Sequence, residues 1–180
     1  GFAKKNFVGK EFIFWIYLAT LMIPSQVILV PMTLIIRKLH IVNTYAALFL
    51  PLVNAFGVFL IKQFLESLPN DLLEAARMDG CGEFSIFIRI VIPLIKPALV
   101  SLTVFTFITS WNSFIWPLIS ITNQNKNTLT LALSSLQGNY ATNYGLVMAG
   151  ATLTFLPPFF LYLVLQKQFV EGIALSGIKG

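Results

Sequence analysis

Few residues in this 180-residue chain could carry out covalent chemistry. Cys81 is the only cysteine and His40 the only histidine. One cysteine allows no disulfide within the chain and no cysteine-based metal site; His40 reads as a polar residue at an interface. No Gly-rich loop ending in Lys-Ser/Thr is present to cradle a nucleotide's phosphates. No catalytic residue, metal site or cofactor is therefore expected. Charge, in contrast, is concentrated. Of the seven acidic residues, Glu66, Asp71, Glu74, Asp79 and Glu83 fall in one stretch, together with Lys62, Arg77, Arg89 and Lys96. Glu74 and Arg77 have the spacing of a solvated helical ion pair, worth a few tenths of a kcal/mol. The chemistry on offer is ion pairing and docking rather than bond making.

A second group is polar but uncharged. Gln26, Asn54 and Asn112 stand in apolar surroundings, and Asn112 follows Trp111. An amide turned to lipid is unsatisfied and costly, so these should face other helices or a cavity. Hydrogen bonds between helices, worth about 0.6 kcal/mol on average, are one reading. A wet pathway for a polar solute is the other, and the Trp111 ring could stack on a sugar. Pro24, Pro31, Pro51, Pro117, Pro157 and Pro158 predict kinked helices, which a cavity or a moving gate would tolerate.

The elements that must hold these residues follow from composition. The chain is 57% hydrophobic and 11% charged, with mean hydropathy +0.81. Soluble domains carry about 25% charged residues, so this is an integral membrane protein. The net charge is +5, but the basic residues form no cluster of their own, which argues against a nucleic-acid surface. Charge-free intervals count the spans, each needing about 20 helical residues. They predict an all-α, polytopic bundle with spans at about 12–36, 44–61, 97–118 and 145–165, and a polar loop over 62–96. A short surface helix is expected over Thr130 to Leu136. The apolar run after Lys4, Lys5 and Lys10 is too long for a signal peptide and lacks a cleavage site.

Four spans put both ends on one side. Lys4, Lys5, Lys10, Lys62, Arg77, Arg89, Lys96, Lys167 and Lys179 share one face, and Arg37, Lys38 and Lys126 the other. The richer face should be cytoplasmic, with both ends of the chain. No Asp, Glu, Arg or His lies inside a predicted span, which speaks against a self-contained pump, a proton-coupled carrier or an intramembrane hydrolase. Energy for uphill movement would enter from outside the spans.

The polar loop reads as an elbow. A helix should run from Pro69 to Asp79, with Asp71 and Glu74 as a capping box. Gly80 and Gly82 permit a change of direction. A second short helix starts over Glu83 to Arg89, and Pro93 leads into the next span. Ala75 and Ala76 would let another backbone approach. With Asp71, Glu74 and Asp79 against Arg77 alone, the first helix suits a protein groove better than an anionic lipid surface.

Glu74-Ala75-Ala76, three residues, Gly80, nine residues, Ile90, one residue, Ile92-Pro93 resembles the "EAA" loop of permease subunits of ATP-binding-cassette importers, with Ile92 where the family has Leu. Asp79 before Gly80 also matches. "MIPSQVILVPM" (Met22 to Met32), "SWNSFIWPL" (Ser110 to Leu118) and the tail "QKQFVEGIALSGIKG" (Gln166 to Gly180) resemble the carbohydrate-uptake, maltose-permease-like branch. The resemblance implies six spans in full-length relatives, with "GFAKKNFVGK" as the cytoplasmic loop after the first two. It implies a multi-pass permease of a bacterial-type plasma membrane, working with a cytoplasmic ATPase dimer, a second permease subunit and an extracytoplasmic solute-binding protein. Glu74, Ala75, Ala76, Asp79, Gly80 and Pro93 would couple to the ATPase, and Gly177, Lys179 and Gly180 would reach it from the tail. Gln26, Asn54, Trp111 and Asn112 would be the candidate solute pathway. Other importer branches (amino acid, peptide or polyol) and a membrane scaffold recruiting a soluble partner are the alternatives.

Overall fold

In a computed structural model of the chain, residues 2–136 and 143–177 are described, with side chains through residue 166, and no strand occurs among them. Helix α1 (Lys10–Ala19) starts after Gly9 and tightens into a 3₁₀ turn, Thr20–Met22. Pro24 then disfavours helical geometry at Ile23. Pro24 itself becomes the N-cap of α2 (Ser25–Lys38). The interval predicted as one span is therefore built as two helices. Arg37 and Lys38 occupy the last turn of α2, where cations complement the helix dipole.

The end of α2 closes with His40 at φ 55°. The His40 N–H donates to the Arg37 carbonyl and the Ile41 N–H to the Ile36 carbonyl, the paired bonds of a Schellman termination. The sole histidine thus occupies a left-handed position that usually favours glycine.

Next come α3 (Tyr45–Phe49), a 3₁₀ turn at Leu50–Leu52 and α4 (Ala55–Ser67). The elbow is α5 (Asn70–Met78) followed by α6 (Glu83–Ile86). Helical geometry continues beyond Arg89: a π-helical turn, Phe87–Val91, leads into α7 (Ile92–Leu94), with the Ile92 N–H donating to the Phe87 carbonyl. Pro93 has no N–H to give, and a π turn is one of the devices by which a helix absorbs such a loss. The path breaks at Ile95 and resumes as α8 (Lys96–Trp111). The predicted helix over 97–118 is interrupted at Asn112–Phe114 before α9 (Ile115–Ser120). The short helix expected near 130 is α10 (Leu129–Ser135), whose Thr128 N-cap accepts from the Leu131 N–H. Last is α11 (Tyr144–Gly177).

Among the described residues, only the stretch Tyr144–Gln166 is long and apolar enough to cross a membrane as one helix. Three bent pairs meet the same test when joined: Lys10–Met22 with Ser25–Lys38, Tyr45–Leu52 with Ala55–Ser67, and Glu83–Leu94 with Lys96–Trp111. Large apolar side chains such as Trp15, Val30 and Val164 face outward. A surface of that kind suits lipid or partner helices rather than water.

The chain divides into two compact units, each drawn from separated stretches. The first takes Gly1–Met22, Asn54–Thr103 and Lys167–Gly180; the second takes Ile23–Val53 and Val104–Gln166. The core of the first gathers Leu73, Ala76, Ile86, Val91, Ile95 and Ala98. The core of the second gathers Ile36, Ala47 and Trp116, with Leu29 and Met32 against them.

Candidate functional site

The elbow is built by two opposed demands on α5. Leu73 and Ala76, three residues apart, turn into the first unit's own core. Leu72, Glu74, Ala75 and Met78 are left exposed, Met78 at 88%. The expectation that Ala75 and Ala76 together receive another backbone is corrected: Ala76 is buried against its own unit and only Ala75 faces out. The capping box is also corrected. Helix α5 begins two residues earlier than that motif requires, Pro69 is its N-cap, and no side chain caps it. Asp71 instead stands in the first turn, where a carboxylate favours the dipole.

Asp79 is the C-cap of α5, and Gly80 follows at φ 80°. The Gly80 N–H donates to the Arg77 carbonyl and the Cys81 N–H to the Ala76 carbonyl. This is a second Schellman end, and here glycine meets the left-handed requirement without strain. A Cβ at Gly80 would touch nothing within 4 Å, so the constraint is conformational, not steric crowding. Gly82 is extended and serves as the N-cap of α6. Pro93 is exposed within α7.

Arg77 does not pair with Glu74. Its Nε donates to Glu83 Oε1 at 2.7 Å, joining the two arms of the elbow across Gly80. The other carboxylate oxygen, Oε2, takes Lys5 Nζ at 3.1 Å. The Arg77 hydrogen bond, then that from Lys5, holds the Glu83 carboxyl below its ordinary range, and the same Arg77 bond raises the guanidinium. Glu74 remains exposed on the outward face.

The candidate pathway residues are spread. Asn54 lies in the first unit; Gln26, Trp111 and Asn112 lie in the second. The Asn54 side chain is engaged locally, where it accepts the Gly57 N–H at 3.1 Å and caps α4. Gln26 is exposed in the first turn of α2, where Ser25 Oγ donates to its Oε1 at 3.4 Å. Asn112 is exposed just after α8. Trp111 stacks on Phe107 with centroids 5.4 Å apart, and its Nε1–H donates to the Thr154 carbonyl at 3.0 Å. That carbonyl lies four residues before Pro158, whose missing N–H leaves it without its usual helical donor. Of the tail residues, Gly177 closes α11, while Lys179 and Gly180 lie outside the described residues.

Three features escaped the reading of the sequence. Trp116 is buried and donates its Nε1–H to the Ala47 carbonyl at 2.9 Å, four residues before Pro51. Both interior tryptophans therefore fill a vacancy that a proline leaves in another helix. Neither pairing has a local signature, although the Trp and Pro content of the apolar segments was a usable hint. Lys62, the first residue of the predicted polar loop, is only 8% exposed. Its ammonium pairs with Glu66 at 2.7 Å and lies 4.3 Å from the centre of the Phe14 ring. Asn43, at φ 61°, is a hub for a loop far along the chain: its Oδ1 accepts the Thr122 and Asn123 N–H groups, and its carbonyl accepts Lys126 Nζ.

Residues 1–174 match the family described as "Binding-protein-dependent transport system inner membrane component". The chain is 39% identical over 181 residues to the arabinooligosaccharides transport system permease protein of Bacillus subtilis (strain 168), covering 100% of this chain and 64% of that protein. It is 40% identical over 171 residues to the sn-glycerol-3-phosphate transport system permease protein of Salmonella typhi, covering 93% and 61%. It is 33% identical over 171 residues to the lactose transport system permease protein of Rhizobium radiobacter, covering 94% and 62%. A solved bacterial ABC transporter involved in import of the acidic polysaccharide alginate superposes with TM-score 0.81 at 25% identity, over 93% of this chain and 65% of that one. The chain thus spans a little under two thirds of the length of these relatives.

Proposed function

Because this chain belongs to the family of binding-protein-dependent transport system inner membrane components, we propose that it is part of the permease subunit of an ATP-driven importer for sugars or related polar carbohydrates. The observation that carries this reading is the elbow: an apolar-backed helix with Leu72, Glu74, Ala75 and Met78 outward, ended by Gly80 and closed by Arg77 and Glu83. Such a helix fits a groove in a soluble ATPase subunit. The curated relatives described above are transport permeases, and hydrolysis would occur in the partner. Closure of two ATPases would shift the elbow, and differential contacts in two states would turn the spans between inward- and outward-open forms.

The membrane is a bacterial-type plasma membrane, with the elbow and both chain ends cytoplasmic. The charges support that orientation. Lys4, Lys5, Lys10, Lys62, Arg77, Arg89 and Lys96 fall in the first unit, and Arg37, Lys38 and Lys126 in the second. A second permease subunit would complete the pathway, and an extracytoplasmic binding protein would deliver solute. Gln26 and Asn112, exposed amides in apolar segments, are the pathway residues with polar atoms most available to a solute. Asn54 and Trp111 contribute as frame. Gly177, Lys179 and Gly180 would reach the ATPase from the tail.

The test is reconstitution of the full-length protein with its ATPase, second permease and solute receptor. Solute uptake should require ATP and the receptor. Glu74→Lys should lower ATPase co-purification and uptake at least about tenfold, the scale of a lost charged contact in a docked interface. Uptake driven by an ion gradient without the ATPase would sink the reading, as would wild-type coupling in Glu74→Lys. A panel of sugars, polyols, amino acids and peptides as competitors separates the importer branches.

A further inference from the structure

We propose that Lys4 and Lys5 form a strap that sets how faithfully movement of the elbow is passed to α1. The inference rests on the importer reading above. Two adjacent residues grip the elbow at two different points. Lys4 Nζ donates to the Leu68 carbonyl at 2.6 Å and to Asn70 Oδ1 at 2.8 Å, where the chain leaves α4 and enters α5. Lys5 Nζ meets Glu83 at 3.1 Å, where the chain enters α6. The pair therefore spans the base of the bend, while Arg77 holds the bend itself through the same Glu83.

The segment bearing the lysines is tied down at its other end. The Phe2 ring packs against Phe7 and Phe14, with centroids 5.8 and 5.6 Å apart. Phe14 is buried on α1, and the Lys62 ammonium of α4 lies over its ring. A continuous path of contacts thus leads from the elbow through Lys4, Lys5 and Phe2 to α1, and through Phe14 and Lys62 to α4, all within the first unit. Without the strap, α5 and α6 still pack through Leu73, Ala76 and Ile86. What the strap adds is a second attachment, so that a push on the elbow moves α1 instead of only pivoting the bend. Lys4 and Lys5 are positioning residues on this view: they touch neither solute nor nucleotide.

The contacts are partly solvated, the Lys5 and Glu83 side chains each being 59% exposed, so the effect is graded and sensitive to salt. In the full-length reconstituted complex, Lys5→Gln and Lys4→Gln should lower solute moved per ATP hydrolysed about two- to fivefold, the scale of one exposed ion pair. ATPase co-purification should stay at the wild-type level, and Lys5→Arg should restore the ratio. Added salt should lower the ratio in wild type more than in Lys5→Gln. A second route avoids loss of the pair: Lys5→Cys with Glu83→Cys on a Cys81→Ser background, joined by a short bis-maleimide, should regain coupling on cross-linking. An unchanged ratio in both glutamine variants, or no rescue by either Arg or the cross-link, overturns the strap. Failure of the importer reading looks different: the wild-type complex itself would show no ATP-dependent uptake.

Discussion

At the scale of single residues, the tryptophans decide most. Trp111 and Trp116 each donate to a carbonyl that a proline has left without a helical partner. A buried acceptor stripped of its donor costs about 1–3 kcal/mol. Trp116→Phe, which keeps a ring but removes the N–H, should therefore lower stability by about 1–3 kcal/mol, and Trp111→Phe by an amount near the lower end because its bond is only half buried. Thermal unfolding of the purified full-length protein checks both. The same substitutions separate frame from pathway. If Trp111 is frame, Trp111→Phe leaves the KM for solute unchanged, whereas Asn112→Leu raises it. A raised KM in Trp111→Phe would return that indole to the pathway. The sequence carries both tryptophans and the prolines in plain view, yet not their pairing. The partners are 43 and 69 residues apart, and only the tertiary fold decides which carbonyl an indole meets. The shelter of Lys62 was legible only in half. Glu66 stands four residues on in the same helix, a spacing that pairs side chains, while the Phe14 ring over the ammonium depends on how α1 meets α4.

At the scale of elements, α2 and α5 end with the same bonds but different residues. Gly80 takes φ 80° and His40 φ 55°. A side chain in left-handed geometry costs about 1–2 kcal/mol. Gly80→Val should therefore weaken the elbow by about that much or more, since Val is β-branched, and impair transport while the spans still insert. His40→Gly should move the other way, by up to about 1 kcal/mol after the glycine's greater freedom in the unfolded chain is counted. Limited proteolysis at the two sites, with thermal unfolding, reads both signs. The helix end was legible, because a glycine just past an amphipathic run ends a helix, but its inner face was not: the pattern set Ala76 beside Ala75 as outward, and only packing turns it in with Leu73. Helix breaks were legible only in part. Pro24 announced one and Pro117, in the first turn of α9, another through its missing bond to residue 113, but the distant tie at the end of α8 was not legible, Thr130 Oγ1 donating to the Trp111 carbonyl at 2.6 Å.

At the scale of the molecule, charge and fold divide together. The second unit contains Arg37, Lys38 and Lys126 but no aspartate or glutamate, whereas the first holds Glu11, Glu66, Asp71, Glu74, Asp79, Glu83 and Glu171. The importer reading places the first unit's polar loop in the cytosol. Cys81, the one cysteine of these 180 residues, is exposed on that loop and offers a probe of its orientation. A membrane-impermeant maleimide should label it in inverted vesicles and leave it untouched in right-side-out ones. Bound ATPase should slow the labelling. Rapid modification from the outer face would reverse the orientation and end the docking argument.

The indole–carbonyl bonds also give the protein an optical signature. Among three tryptophans, Trp15 lies on the outer surface while Trp111 and Trp116 are tied to backbone oxygens inside. Trp15→Phe would leave Trp111 and Trp116 as the emitters of this stretch, each bonded to a carbonyl four residues before a proline. Any turnover step that straightens or opens the helices at those prolines would then appear as a change in intrinsic fluorescence, with no dye attached.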